Sequence, residues 1–211
     1  MKKKISIIAS FRNEEENINE FISRINSSFK KSNHIDYELI FIDGFSNDLS
    51  NSLIKKVCIK NKKIKLITLK KNYGSNPSIQ TGFDFVNDKN YAAVIDCDLQ
   101  EQPELIAQNF SKIKKKQTIH FVRKKREDPF FQKFYTNIAY LVLHFISEGK
   151  IIMNTSHFKI IPPHVVRKIK KNTEIHPNWN YLFTQLSLKN KIVYYVKKKE
   201  FTEVQNLAYL L

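Results

Sequence analysis

Asp96, Asp98 and Gln100 stand at alternate positions directly after an apolar run, Tyr91 to Ile95. In extended chain, residues two apart project to the same side, so two carboxylates and an amide oxygen are brought together. Two unpaired carboxylates this close to an apolar run are costly unless a cation sits between them. Hard oxygen ligands suit Mg²⁺ or Mn²⁺, and Mg²⁺ in particular is held by one or two carboxylates together with substrate phosphates. The glycines point the same way. Gly44, Gly74, Gly82 and Gly149 fall in neither a G-x-G-x-x-G nor a G-x-x-x-x-G-K pattern, so a phosphate cradled by backbone alone is not expected. A diphosphate held through a metal is what these residues allow.

The elements that must position these side chains read as a regular alternation. Ile5 to Ala9 is a β-rich run, and Ile18, Phe21, Ile22, Ile25 and Phe29 then recur with helical period. Tyr37 to Ile42 leads to a helix carrying Leu49, Leu53 and Val57. Ile64 to Leu69 leads to a helix carrying Ile79, Phe83 and Val86. Tyr91 to Ile95 leads through the acidic segment to a helix beginning near Pro103, with Leu105, Ile106, Phe110 and Ile113 inward. Thr118 to Val122 reads as a fifth strand. Strands alternating with helices of this length predict an α/β fold, a mainly parallel sheet covered on both faces. Ligands of such sheets bind beyond the carboxyl ends of the strands, where Asp96 and Asp98 stand.

After Val122 the rhythm breaks. Arg123-Lys124-Lys125-Arg126 precedes Pro129 and a helical stretch with Phe130, Phe134, Ile138, Leu141 and Phe145 along one stripe. Such a stripe is either core or a helix resting on a membrane surface beside basic charge. The chain of 211 residues reads as one domain in two parts. Residues 1–122 form an α/β half and 123–211 an extension.

Charge is the unusual quantity: 36 Lys and Arg against 20 Asp and Glu give a net +16 and a pI near 9.7. This excess attracts polyanions, whether anionic lipid, phosphorylated substrates or nucleic acid. Nucleic acid is the weakest of these, because the charge is spread from Lys2 to Lys199 and neither a zinc-finger nor an RNA-binding aromatic motif occurs. Two cysteines, Cys58 and Cys97, in unpaired settings fit a reducing cytoplasm. The start, Met1-Lys2-Lys3-Lys4 and then Ile5 to Ala9, is too short for a signal-peptide core. The apolar stretch Ala139 to Ile146 is well below the ~20 residues that cross a bilayer.

Four segments at the four strand ends carry a resemblance. Ser10-Phe11-Arg12-Asn13-Glu14-Glu15-Glu16-Asn17-Ile18, Asp43-Gly44-Phe45-Ser46-Asn47-Asp48, Lys71-Asn72-Tyr73-Gly74 and Asp96-Cys97-Asp98-Leu99-Gln100-Glu101-Gln102-Pro103-Glu104-Leu105-Ile106 resemble family-2 glycosyltransferases of GT-A fold. The resemblance covers roughly residues 4–200 and is loose after residue 106. Within that family the chain looks most like polyprenyl-phosphate glycosyltransferases, such as dolichol-phosphate mannose synthase.

The resemblance implies a metal-dependent hexosyltransferase that moves a sugar from a nucleotide-diphosphate donor to a polyprenyl phosphate, with inversion. It places residues 1–122 as the nucleotide-sugar half and 123–211 as the acceptor and membrane side. Asp43 would contact the donor base, with Ser10 and Glu14 in the same pocket. Asp96, Asp98 and Gln100 would reach the Mg²⁺ or Mn²⁺ and the diphosphate, and Lys198 or Lys199 would reach the diphosphate late in the chain. Arg123, Arg126 and Lys159 would meet the acceptor phosphate, and His157 occupies the place of the family's acidic residue in the acceptor motif. Asn13, Asn17 and Asp48 read equally well as helix caps and turn formers. The implied location is the inner face of the cytoplasmic membrane, in cell-envelope glycan synthesis, with attachment peripheral or through a membrane subunit or a homo-oligomer.

The chain departs from the family pattern at several places. The usual paired aspartates are here Asp43-Gly44, the proline before the first helix is Ser10, and the late Gly-Glu-Ser-Lys-like segment is Thr202-Glu203-Val204-Gln205. A carboxylate missing at position 157 is awkward for a sugar-hydroxyl acceptor, which needs a base. It is tolerable for a phosphomonoester, largely dianionic at pH 7 with a second pKa of about 6. The rival reading within the family is transfer to a glycan hydroxyl in surface polysaccharide synthesis.

Overall fold

A computed structural model of the chain describes residues 3–32, 34–124, 155–172 and 179–197. The elements run in order as β1 (Lys3–Phe11), α1 (Ile18–Lys30), β2 (Ile35–Asp43), α2 (Ser50–Lys60), β3 (Ile64–Thr68), α3 (Ser75–Asp84), β4 (Tyr91–Asp96), α4 (Glu104–Phe110), β5 (Gln117–Arg123), β6 (Thr155–Ile161), α5 (Pro163–Lys170), α6 (Trp179–Leu186) and β7 (Lys189–Tyr195).

One seven-stranded sheet has the order β3-β2-β1-β4-β6-β5-β7. β1 pairs in parallel with both β2 and β4, β2 with β3, and β5 with β7. β6 alone runs against its neighbours, β4 and β5. The expected α/β architecture is therefore present, and the sheet continues past residue 122 through both parts of the chain.

Alternation along the strands sorts the core into two clusters, one on each face. Ile5, Ile7, Ala9 and Phe11 of β1 pack with α1, α2 and α4 through Phe21, Ile25, Ile54, Ile106 and Phe110. Ile8, Ile40, Val94 and Ile161 pack with α3, α5 and α6 through Ile79, Phe83, Val165, Ile169, Trp179 and Phe183. Phe83, Trp179 and Phe183 stack together, with ring centroids 5.2 to 6.2 Å apart. Gly82 lets α3 lie directly on β1, since a Cβ there would come within 2.3 Å of the Ile8 side chain.

α2 differs from the pattern read in the sequence. Leu49 precedes the helix and is 63% exposed, and the buried line is Ser50 and Ile54, with Leu53 and Val57 flanking it. Among the described residues no helix is long and apolar enough to cross a membrane. The aromatic stripe from Phe130 to Phe145 lies outside the described residues.

Candidate functional site

The order of the parallel strands reverses between β1 and β4, and crevices at such switch points are where open α/β sheets bind ligands. Ser10 at the end of β1 is in register with Asp96 at the end of β4. Its hydroxyl donates to Asp96 Oδ1 at 3.4 Å. Beyond Asp96 the chain keeps alternating. Cys97, Leu99 and Glu101 are 1–3% exposed, and Asp98, Gln100 and Gln102 between them are half-buried. Cys97 and Leu99 join the core cluster shared with α1 and α4, while Asp98 between them stays half-buried and, with Asp96, reaches the crevice. Leu99 takes a left-handed conformation, φ 59°, an uncommon state for a non-glycine residue and one found at ligand clamps. The Gln100 amide donates to Asp98 Oδ1 at 3.0 Å.

A cavity of about 260 Å³ opens beside these carboxylates. Its walls are Ser10, Arg12 and Glu14 after β1, Gly44 after β2, Asn72, Gly74 and Ser75 at the start of α3, and Asp96 and Asp98. A second cavity of about 320 Å³ lies on the other side of Glu14 and Asp98, with Glu15, Glu16 and Asp48 in its wall.

Burial first, and the neighbouring Asp98 second, push the Asp96 carboxyl up to about 6, against the pull of Ser10, Lys197 and Arg123. A cation between Asp96 and Asp98 would remove that cost. Among the described residues no three His, Cys, Asp or Glu side chains converge to hold a metal by themselves. The donor set therefore suits an ion that takes two carboxylates and Gln100 and completes its shell with water and phosphate oxygens, as Mg²⁺ and Mn²⁺ do.

Asp43 ends β2 at 1% exposure, and its two oxygens are engaged by its own loop and by α2. Oδ1 accepts from the Ser46 amide at 2.8 Å and Oδ2 from Asn51 Nδ2 at 2.7 Å. It braces the loop that carries Gly44 rather than lining the cavity. Asp48 accepts from the Ser50 amide and hydroxyl and from the Glu15 amide, so it forms the turn before α2 and ties it to the loop after β1. Asn13, at φ 57°, accepts from the Asn47 amide. Asn17 stands at the cap position of α1 without a side-chain capping bond, and its amide instead donates to Glu14 Oε2 at 2.6 Å.

β6 brings the late residues to the same edge. Its register against β4 pairs Ala92 with Ile161 and Val94 with Lys159, and His157 lies two residues before Lys159 on the same strand. Burial, then the Lys159 charge, lowers the His157 imidazole to about 4, and its Nδ1 is buried with no partner among the described residues. Lys159 is wholly enclosed. Its ammonium donates to the Ser156 carbonyl and lies 5.5 Å from the centre of the Phe183 ring. Burial brings it down to about 7. These contacts are interior ones, because Phe183 of α6 packs over the ammonium on the sheet face. Arg123 ends β5 half-exposed, beside the Tyr195 hydroxyl and close enough to act on Asp96. Arg126 and Lys198 lie outside the described residues.

Sequence reading left Glu101 and Tyr195 without roles. Glu101 is 3% exposed, and burial, then Asp96, raises its carboxyl to about 7. Glu101 Oε1 accepts from Ser156 Oγ at 2.6 Å and from Tyr195 Oη at 3.2 Å. The signal that could have singled it out is the period-2 pattern running past Asp96, which makes Glu101 a carboxylate on the inward side.

Comparison with known proteins agrees with this geometry. Residues 6–187 match the model of glycosyl transferase family 2. The chain is 29% identical over 194 residues to the uncharacterized glycosyltransferase YkcC of Bacillus subtilis, covering 91% of this chain and 59% of that protein. It is 26% identical to the uncharacterized glycosyltransferase sll0501 of Synechocystis, covering 95% and 63%. The chain thus spans about three fifths of the length of these relatives. Its fold is similar to that of S. aureus TarS, with TM-score 0.61 and 16% identity over 98% of this chain and 64% of that one. It is also similar to the mannosyltransferase PcManGT of Pyrobaculum calidifontis, solved with GDP-Man and Mn²⁺, with TM-score 0.62 and 11% identity over 99% and 61%. With a mostly parallel sheet of GT-A type, an Asp-x-Asp at its switch point and a family match across most of its length, the chain belongs to glycosyltransferase family 2.

Proposed function

We propose that the chain transfers a sugar from a nucleotide-diphosphate donor to a polyprenyl phosphate, by single displacement with inversion at the anomeric carbon. The donor lies over the strand ends, in the cavity walled by Ser10, Gly44, Gly74 and Asp96. Asp98, aided by Asp96 and Gln100, holds Mg²⁺ or Mn²⁺, which when bound neutralises charge on the departing diphosphate. Ser10 holds Asp96 in place from the neighbouring strand. An acceptor phosphate oxygen forms the new bond to the anomeric carbon as the bond to the nucleoside diphosphate breaks.

What supports a phosphate acceptor is the buried setting of the His157 imidazole beside Lys159. A side chain held at about 4 by burial and by Lys159 is a poor general base near neutrality, where the useful pKa lies close to the working pH. A phosphomonoester needs no base, since it arrives largely dianionic. It needs cations, which Arg123 and Arg126 supply through charge-assisted hydrogen bonds. The basic surface, with residues 129–147, brings the chain to an anionic membrane, at about 1 kcal/mol for each Lys or Arg near the surface.

The test compares His157→Ala and Arg126→Ala over pH 5.5–8.5 with a short-chain polyprenyl phosphate. His157→Ala should lower the rate far less than the ~10²–10⁴-fold assigned to a general base. Arg126→Ala should raise the apparent KM for the lipid. A collapse in His157→Ala, with Arg126→Ala like wild type, would point to a glycan hydroxyl as acceptor.

A further inference from the structure

Three inward side chains anchor the segment after β4: Cys97, Leu99 and Glu101. The first two are apolar and settle into the core on either side of Asp98. The third is a carboxyl at 3% exposure, and it reaches two strands that enter the sheet late in the chain. Ser156 Oγ on β6 accepts from the Phe158 amide at 3.1 Å and donates to Glu101 Oε1 at 2.6 Å. Tyr195 Oη on β7 donates to the same oxygen at 3.2 Å. The Tyr195 ring is fixed in turn, edge-on to Phe158 with centroids 5.7 Å apart. One residue further, Gln102 Nε2 donates to the Val196 carbonyl at 3.1 Å. Leu99 holds its left-handed conformation between Asp98 and these attachments. The acidic segment is thus bolted to the far half of the sheet immediately after its last outward ligand oxygen, Gln100.

We propose that Glu101 is a positioning residue for metal binding: through Ser156 and Tyr195 it holds Asp98 and Gln100 at the spacing a divalent cation requires. This rests on the metal reading given above. Glu101 acts through its hydrogen-bond partners, Ser156 and Tyr195. Groups that orient metal ligands typically account for ~10–100-fold in metal affinity. The physical reason is that ligands on a free segment must be ordered at the moment of binding, at a cost in backbone entropy.

The experiment measures Mn²⁺ affinity by water-proton relaxation, with the full chain as titrant, and melting temperature in parallel. Glu101→Ala should weaken Mn²⁺ binding by ~10-fold or more. Glu101→Gln, whose amide oxygen accepts from the same two hydroxyls, should stay within about threefold of wild type, a small change on that scale. The double variant Ser156→Ala, Tyr195→Phe keeps the carboxyl and removes both donors. It should behave like Glu101→Ala, and it carries the test if Glu101→Ala does not fold. A lowered melting temperature with unchanged Mn²⁺ affinity in these variants would make Glu101 merely structural and overturn the proposal. No relaxation enhancement by the wild-type chain would overturn the metal reading itself, a separate and recognisable outcome.

Discussion

His120 and Lys159 lie directly across β5 and β6 from each other, both wholly buried. The His120 ring reaches Asn190 Oδ1 at 2.8 Å through Nε2, and its Nδ1 has no partner among the described residues. Burial first and Lys159 second lower its imidazole from 6.5 to about 4. The unfolded chain therefore binds a proton that the folded chain resists, and this group's contribution is intact above pH 6.5 and lost as pH falls toward 4. Asp96 and Glu101, both raised, act in the opposite sense over part of the same range, so the wild-type curve alone does not isolate His120. Comparison with His120→Gln does. In urea unfolding, the destabilisation caused by that variant should shrink by roughly 2–3 kcal/mol between pH 7 and pH 4. A difference independent of pH would contradict the assignment. At this scale the sequence was informative where spacing alone decides, as for Asp96, Asp98 and Gln100. For Asp43 and Lys159 the resemblance implies ligand contacts, and their interior partners are not legible in the sequence. Their partners, Asn51 and Phe183, come from other elements, and only tertiary closure turns a charged side chain into a brace or an interior group.

Five strands and four helices were legible in the period of the apolar residues, because each is long enough to show an inward face. β6 and β7 were not, since residues 155–161 and 189–195 mix His, Lys, Asn and Ser among the apolar positions. In β6 the polar Lys159 is buried among the apolar residues, and β7 is mostly exposed, so neither run shows a plain inward face. α2 was placed with its apolar stripe one position early, because Ser50, a small polar residue, is the one that packs inward. α3 is the element most tightly tied to the candidate site, since its first turn walls the cavity while Gly82 presses against Ile8. Gly82→Ala has no room, as the new methyl would meet the Ile8 side chain at 2.3 Å. It should cost roughly 1–3 kcal/mol, the range for overpacking a core. It should also weaken donor binding as Gly74 and Ser75 are lifted away. Equilibrium unfolding and a donor titration check both effects. A variant as stable as wild type would show that α3 can slide without loss.

Among the described residues, one sheet carries Asp96 at the end of β4 and Arg123, Lys159 and Tyr195 on β5, β6 and β7. The parallel strands and both core faces were predictable from residues 5–122. The insertion of β6 between β4 and β5 was not, because it pairs positions more than sixty residues apart. That insertion is what lets Glu101 reach Ser156. A cation held by Asp96 and Asp98 should bind the nucleotide diphosphate, and a thermal-shift comparison of UDP-, GDP- and CMP-sugars, with and without Mn²⁺, on wild type and Asp98→Asn measures whether it does. A ligand that binds only the native state raises its stability with occupancy. Asp98→Asn removes a charge while its amide oxygen can still accept from Gln100. A diphosphate sugar should raise the wild-type melting temperature only with Mn²⁺, the CMP-sugar should not, and Asp98→Asn should melt like free wild type and show no shift. A diphosphate-sugar shift that is equal with and without Mn²⁺, or undiminished in Asp98→Asn, would rule out binding through that cation.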